Sequence, residues 1–534
     1  MIPIKILCGC GQKYTFDVEP SSKGVGFIVQ CPVCGTDGCE AANQIIRQHL
    51  ATDKLQPPGL QIRAHSPSSA KVQNFPATPP IAPPLPAFTG RSKTKERLPK
   101  IFTACALLLL LLAAGGIAIN RLHAGKAAPP AQAKVTASDF PDTLQQLNAW
   151  YEEPLPGHNA AAINLRAFAT LKANNFKLPP PGAPMRASTI SALEALVNSN
   201  RGCLDLLREA ARLEQSRYPV DLAQGFETLL PHLIKFKDAA RIAECSAALN
   251  AEQHRGGEAA DDILAALALG RSLRLEPILT SQFLRAATLS MALGALEQTV
   301  NRTLLTSDRL NALAQEFQRL ERSEARGDAF KRALIGERAT ALSIMRNPGD
   351  YLKKINQFGT GMKPAERDQW VACLKNATNF KEEVQYYEDT FQQLMLAREK
   401  PFPARLQADH LIRERANDAK SHGMAMNDFL MPGRGRAASK EASCLAYFRL
   451  GLAALALEQF HTTHGKQYPP SLSELPPQAS PDALNDPFDG QPLRYERKGQ
   501  GYLLYSIGPD LNDDAGERTH GKDLVFEVAG FAER

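Results

Sequence analysis

Two cysteine pairs stand within the first 40 residues, Cys8-x-Cys10 and Cys31-x-x-Cys34. Four thiolates meet the tetrahedral preference of Zn2+, and the glycines beside each pair let the backbone wrap closely round a small ion. Disulfides, or two unrelated pairs, are the bland alternative. The remaining cysteines form no framework. Cys39 is a spare thiol, Cys105 lies in an apolar run, and Cys203, Cys245, Cys373 and Cys444 are scattered, so the 10 cysteines are not a disulfide scaffold.

No other residue set carries a reaction. HExxH, G-x-S-x-G, Walker A and G-x-G-x-x-G patterns are all lacking from the sequence, so no catalytic residue and no enzyme is expected. His461 and His464 ("HTTH") fall at the end of a helical stretch, where a histidine suits the helix dipole without any metal. Asp142, Glu152, Glu153 and His158 offer acid–base groups, but their spacing demands no common site.

The elements around the cysteines are short. "KYTFDV" and "GFIVQ", between the two pairs, are rich in β-formers and read as a hairpin. Over residues 4–36 this head resembles the zinc-ribbon family, departing from it in a first knuckle of C-x-C rather than C-x-x-C. The resemblance implies one Zn2+ held by Cys8, Cys10, Cys31 and Cys34, with metal binding supplying the folding energy of so small a core. The loop "EPSSKG" is not basic, which favours a structural or protein-binding role over nucleic acid.

The whole chain has 534 residues, 44% apolar, 22% charged and only 7% aromatic, which suggests several domains with Ala/Leu-rich helical cores. A net charge of +6, thinly spread, is too weak for a nucleic-acid partner. Residues 51–100 hold 10 prolines and read as a disordered or polyproline tether. "IFTACALLLLLLAAGGIAI" follows, 19 uncharged residues from Ile101 to Ile119. At 1.5 Å per residue they reach about 28 Å, enough to cross a hydrocarbon core. Five basic residues precede the run (Arg91, Lys93, Lys95, Arg97, Lys100) and three follow it (Arg121, Lys126, Lys134), which sets the N-terminus in the cytoplasm. The expected protein is therefore single-pass in the inner membrane, with residues 120–137 a second spacer and the C-terminal bulk extracytoplasmic.

From about 138 to 440 the pattern is helical. "EPILTSQFLRAATLSMALGALEQTV" places Pro277 in a first turn and runs an apolar stripe through Ile278, Leu279, Phe283, Leu284, Ala287, Met291 and Leu296. "TSDRLNALAQEFQRL" starts on Thr306 or Ser307 and repeats the stripe with Leu310, Leu313, Phe317 and Leu320. Asp221 is expected to cap another such start. "WYEEPLPGHNAAAINLRAF" and "SRYPVDLAQGFETLLPHL" resemble a helical domain of uncharacterised planctomycete and verrucomicrobial envelope proteins, over residues 145–345. That resemblance implies a lineage and no activity.

The C-terminus reads as an amphipathic helix, "AYFRLGLAALALEQFHTTHGKQYPPSLSEL", stopped by Gly465 and Pro469, then strands in "PLRYER", "GYLLYSIG" and "DLVFEV". Tyr468-Pro469, Leu472, Leu475, Asp486-Pro487-Phe488, Tyr495 and "YSIGPD" occur in the order of the type II secretion major pseudopilin, whose globular head residues 443–528 resemble. The resemblance implies a Ca2+ loop, with Asp510, Asn512, Asp513, Asp514 and Asp523 as oxygen ligands in an acidic loop without basic partners. Asx-turn chemistry is the alternative for the same residues. A pseudopilin carries its membrane helix directly ahead of its head; here the two are more than 300 residues apart, so the chain is no ordinary pilus subunit.

The fold class that follows is multidomain and mainly α. It comprises a β zinc ribbon (1–40), a Pro-rich linker (41–100), a transmembrane helix (101–119), a spacer (120–137), an α-helical domain (138–440) and an α+β pseudopilin-like module (441–534). The expected function is a membrane-anchored structural or interaction protein of the cell envelope, with protein partners there and an association with type II secretion-like machinery. The alternatives are a transmembrane sensor with a cytoplasmic zinc ribbon, or a hydrolase within the helical domain.

Overall fold

A computed structural model describes residues 2–7 and 13–18, and residues 140–530 apart from 173–175, most of 350–376, 477–481 and 519–521. The four paired cysteines, the Pro-rich linker and the apolar run 101–119 lie outside the described residues. Among the described residues no helix is long and apolar enough to cross a membrane.

The N-terminal unit is described by one hairpin. β1 (Ile2–Leu7) pairs antiparallel with β2 (Lys13–Val18), from Ile2 opposite Val18 to Leu7 opposite Lys13. Ile2, Ile4 and Ile6 stand opposite Val18, Phe16 and Tyr14 in the backbone register. "KYTFDV" is therefore a strand as expected, but its described partner is "IPIKIL", ahead of the first cysteine pair. Residues 8–12, which connect the two strands, carry Cys8 and Cys10.

Residues 134–534 form a second unit, mainly helical with a small antiparallel sheet. Its centre is three helices rich in alanine: α5 (Leu233–Glu252), α6 (Gly256–Ser272) and α7 (Leu279–Val300). Earlier helices α1 (Leu144–Trp150), α2 (Ala160–Thr170), α3 (Ala187–Ser199) and α4 (Arg201–Ala211) lead into it. α8 (Ser307–Arg326), α9 (Asp328–Arg346), α10 (Ala377–Arg398), α11 (Gln407–Ser421) and the short α12 (Ala425–Leu430) follow.

Small side chains explain the tight centre. Ala239, Ala240, Ala243, Ala247 and Ala248 of α5 are fully buried, with Ala260, Ala265 and Ala266 of α6 and Ala292 and Ala295 of α7. α8 keeps its predicted stripe, with Leu310, Leu313, Phe317 and Leu320 all buried and Thr306 at the N-cap. Two helix starts differ from expectation. Ile278 is extended (φ −134°, ψ 128°) and takes the N-cap of α7, so Pro277 precedes the helix instead of lying in its first turn. Asp221 accepts from the Ala223 amide at 3.0 Å, capping only the short 3-10 turn Leu222–Glu227 rather than the long helix that begins at Leu233.

α13 (Ala437–Thr463) is the link between helices and sheet. Of the positions from Ala437 to Glu458, all but a few are buried, so the helix is a central rod and not an amphipathic surface helix. Its Gly451 meets Phe317 of α8 so closely that a Cβ there would fall 2.2 Å from the ring. The domain boundary expected at residue 440 falls inside this helix.

All three C-terminal strands form as expected: β3 (Arg494–Lys498), β4 (Gly501–Ser506) and β5 (Leu524–Val528), antiparallel with β4 central. Tyr502 and Leu504 lie opposite Val528 and Phe526, and all four are buried in the main core. Asp486 is fully buried and ties the preceding loop to β4. It accepts from the Phe488 and Ile507 amides at 3.0 and 2.8 Å and from the Ser506 hydroxyl at 2.9 Å. The Tyr468 hydroxyl donates to Glu458 of α13 at 2.8 Å, and Tyr495 donates to the Pro469 carbonyl at 2.8 Å. Asp486, Tyr468 and Tyr495 thus support the sheet by hydrogen bonds.

A candidate binding cleft between helices and sheet

β5 is an edge strand, and its exposed polar edge would ordinarily be a liability. Here the last turns of α7 close it. Asn301 donates Nδ2 to the Glu527 carbonyl at 2.7 Å and accepts the Ala529 amide at 2.9 Å. Glu297, one turn earlier, accepts the Glu527 amide at 2.6 Å and pairs with Arg518 at 3.1 Å. Two side chains on one helix therefore stand in for a further strand.

Beside this junction opens a cleft of about 840 Å³. Three helices present one stripe each to it. α5 supplies Lys237, Arg241 and Glu244; α7 supplies Phe283, Ala287, Ser290, Met291, Gly294, Glu297 and Gln298; α13 supplies Lys440, Ser443 and Tyr447. These spacings of three and four place each set on a single helix face. The fourth wall is Arg518 together with Lys522–Val525 at the start of β5, with Pro509; the proline run Pro179–Pro181 closes one end. An apolar floor with a few convergent polar groups, in this size range, is the usual form of a small-molecule site.

The polar groups are strongly biased by burial. Glu244 lies against the backbone of α7, where a Cβ on Gly294 would come 2.8 Å from its Oε1. Burial pushes its carboxyl up to about 7, against the pull of Arg241 at 2.7 Å, and neighbouring Glu297 adds to the rise. Glu297 is likewise raised, by burial first, in opposition to Arg518 and the Glu527 amide. Gln298 is 3% exposed; its Nε2 donates to the Pro179 carbonyl at 3.0 Å, while its Oε1 finds no partner among the described residues. Lys237 and Lys440 make no ion pair among the described residues. Raised carboxylates and unanswered polar groups in a concavity are the ordinary mark of a functional site.

The residues singled out from the sequence lie elsewhere. Asp510 accepts from the Asn512 amide at 3.2 Å. Asp513 accepts from Tyr505 and the Ala515 amide and faces Arg494 at 3.4 Å. Asp514 faces Lys522 at 3.3 Å, and Asp523 accepts the Asp514 and Gly516 amides at 3.4 and 2.7 Å. The carboxylates expected to lack basic partners thus face two, Arg494 of β3 and Lys522, while Asp514 Oδ2 is buried without a hydrogen-bond partner among the described residues. Among the described residues no group of three or more His, Cys, Asp or Glu is placed to hold a metal ion. The bonds from the Asn512 amide to Asp510 and from the Ala515 amide to Asp513 are those of the Asx-turn alternative.

His461 stacks on Tyr468 and His464 on Phe460, at 4.6 and 3.7 Å between ring centres, so the histidine pair serves the helix end. Asp142 pairs with Arg338 at 2.6 Å, Glu153 with Arg217 at 3.1 Å, and His158 bonds the Pro156 carbonyl at 3.1 Å, each with its own partner. A second polar cluster, His232–Glu276–Ser281, is closed: His232 lies 3.1 Å from Glu276, Ser281 donates to Glu276 at 2.5 Å, and none exceeds 4% exposure. Buried Cys203, Cys245 and Cys444 are free thiols held above their ordinary range by burial.

No family model, curated protein or solved structure matches this chain.

The cleft was missed from sequence because its walls are far apart in the chain. Lys440, Ser443 and Tyr447 lie at helical spacing, but Ser439, Glu441, Arg449 and Glu458 are polar positions of the same helix, so the stripe does not stand out.

Proposed function

We propose that the chain is a single-pass, membrane-anchored binding protein of the cell envelope. In this reading residues 101–119 cross the membrane, a zinc-binding head at residues 1–40 sits in the cytoplasm, and residues 134–534 lie outside as a platform that engages envelope partners. The observation that carries it is a cleft walled jointly by α5, α7, α13 and the strand that α7 holds in place. A separable pilin-like head would have a free sheet edge and a helix of its own; here both are shared with the helical body. The polar lining of the cleft also favours the sensor alternative, in which occupancy outside is reported to the head within. A Ser290→Cys substitution tests the reading, since Ser290 is exposed and lines the cleft. In spheroplasts a membrane-impermeant maleimide should label the variant beyond the parent chain. Extra labelling that appears only after lysis would put the cleft on the wrong side and overturn the proposal.

A further inference from the structure

We infer that the cleft binds an organic anion: a carboxylate or phosphate group carried on an apolar body that also bears an N–H or O–H donor. This rests on the reading of the cleft as the binding site and names what enters it.

The charge balance carries the first part. Five cations line the cleft, Lys237, Arg241, Lys440, Arg518 and Lys522, against the three acids Glu244, Glu297 and Asp523. The acids are committed to the protein. Glu244 holds Arg241, Glu297 holds Arg518 and a β5 amide, and Asp523 holds two loop amides. Lys237 and Lys440 stand on different helices, α5 and α13, with no ion pair among the described residues. An anion in the concavity meets these two ammonium groups without displacing an existing partner. Both lysines are exposed, so they are free to turn to a ligand, and a concavity lined mainly by one sign of charge draws the opposite charge in.

The second part comes from the walls. Phe283, Met291, Leu178 and Val525 give an apolar surface that an inorganic ion would leave unused. The third comes from Gln298, whose buried Oε1 is an acceptor without a partner. An orphaned acceptor is costly, and a donor on the ligand answers it.

The probes are N-acetylphenylalanine, its phosphonate analogue and the neutral N-acetylphenylalaninamide, titrated calorimetrically into the purified full-length chain. Both acids should bind, and the neutral amide should bind at least roughly tenfold more weakly, about 1.4 kcal/mol. A Lys237→Gln/Lys440→Gln variant should lose that preference while keeping the affinity for the amide, and Ser290→Trp should block all three. The stronger of the two acids tells a carboxylate source from a phosphate source. Equal binding of acid and amide overturns the anion assignment and leaves the cleft a binding site. No binding of any probe overturns both this inference and the function proposed above.

Discussion

Glu244 has its side chain only 10% exposed, and burial holds its carboxyl near 7 where its ordinary value is 4.5. Between those values the folded state keeps a proton that the unfolded state has lost, so stability falls as pH rises from about 4.5 to about 7 and the full cost is present above it. That cost is about 3 kcal/mol. Glu244→Gln keeps the shape and removes the charge. Urea unfolding should show the variant more stable than the parent by up to about 3 kcal/mol at about pH 8, with no gain at about pH 4. A variant less stable at both would mean that the Arg241 pair outweighs desolvation. The acidic loop makes the opposite case, of carboxylates for the most part answered. Since Arg494, Lys522 and backbone amides occupy the oxygens, melting temperatures in excess Ca2+ and in chelator should coincide. Asp523→Ala, which strips the acceptors from two loop amides, should cost about 1–3 kcal/mol in either solution. A clear rise with Ca2+ would show that the loop rearranges around the ion.

Gly451 marks the crossing of α13 over α8, the contact that seats the sheet-bearing helix in the bundle. Adding one methyl drives a Cβ to 2.2 Å from Phe317, deep in the core, where neither helix has room to retreat. Gly451→Ala gains helix propensity worth about 1 kcal/mol but should lose more to overpacking, for a net destabilisation of about 1–2 kcal/mol by thermal melting. Elements of this kind were legible in proportion to how local their causes are. The stripe Leu310–Leu313–Phe317–Leu320 and the three C-terminal strands follow from periodicity and turn residues alone, and both formed as read. The amphipathic reading of α13 failed because its second covering layer, the sheet, is supplied by residues much later in the chain, as far as Val528. Pro277 misled in a similar way: its carbonyl lies so close to Gly336 that a Cβ there would fall 1.9 Å away, an approach no local pattern announces. The cleft was invisible for the same reason, since each stripe is unremarkable until three helices face one another.

At the scale of the whole unit, the account depends on the sheet being part of the helical body. Only then is the cleft between them a fixed site rather than the gap between two tethered domains. The joint is small in number of groups, Asn301 and Glu297 on the edge of β5, Arg518 on Glu297, and α13 running through both parts. Native-state hydrogen exchange of the full-length chain, read by mass spectrometry, tests this most directly. Segments that open together exchange with one free energy, whereas an independent module opens on its own at lower cost. The account predicts that peptides covering β4, β5 and the C-terminal half of α7 share a single opening free energy, and that Asn301→Ala lowers it for all of them together. Exchange of β4 and β5 through a separate, cheaper opening that leaves α7 protected would contradict it.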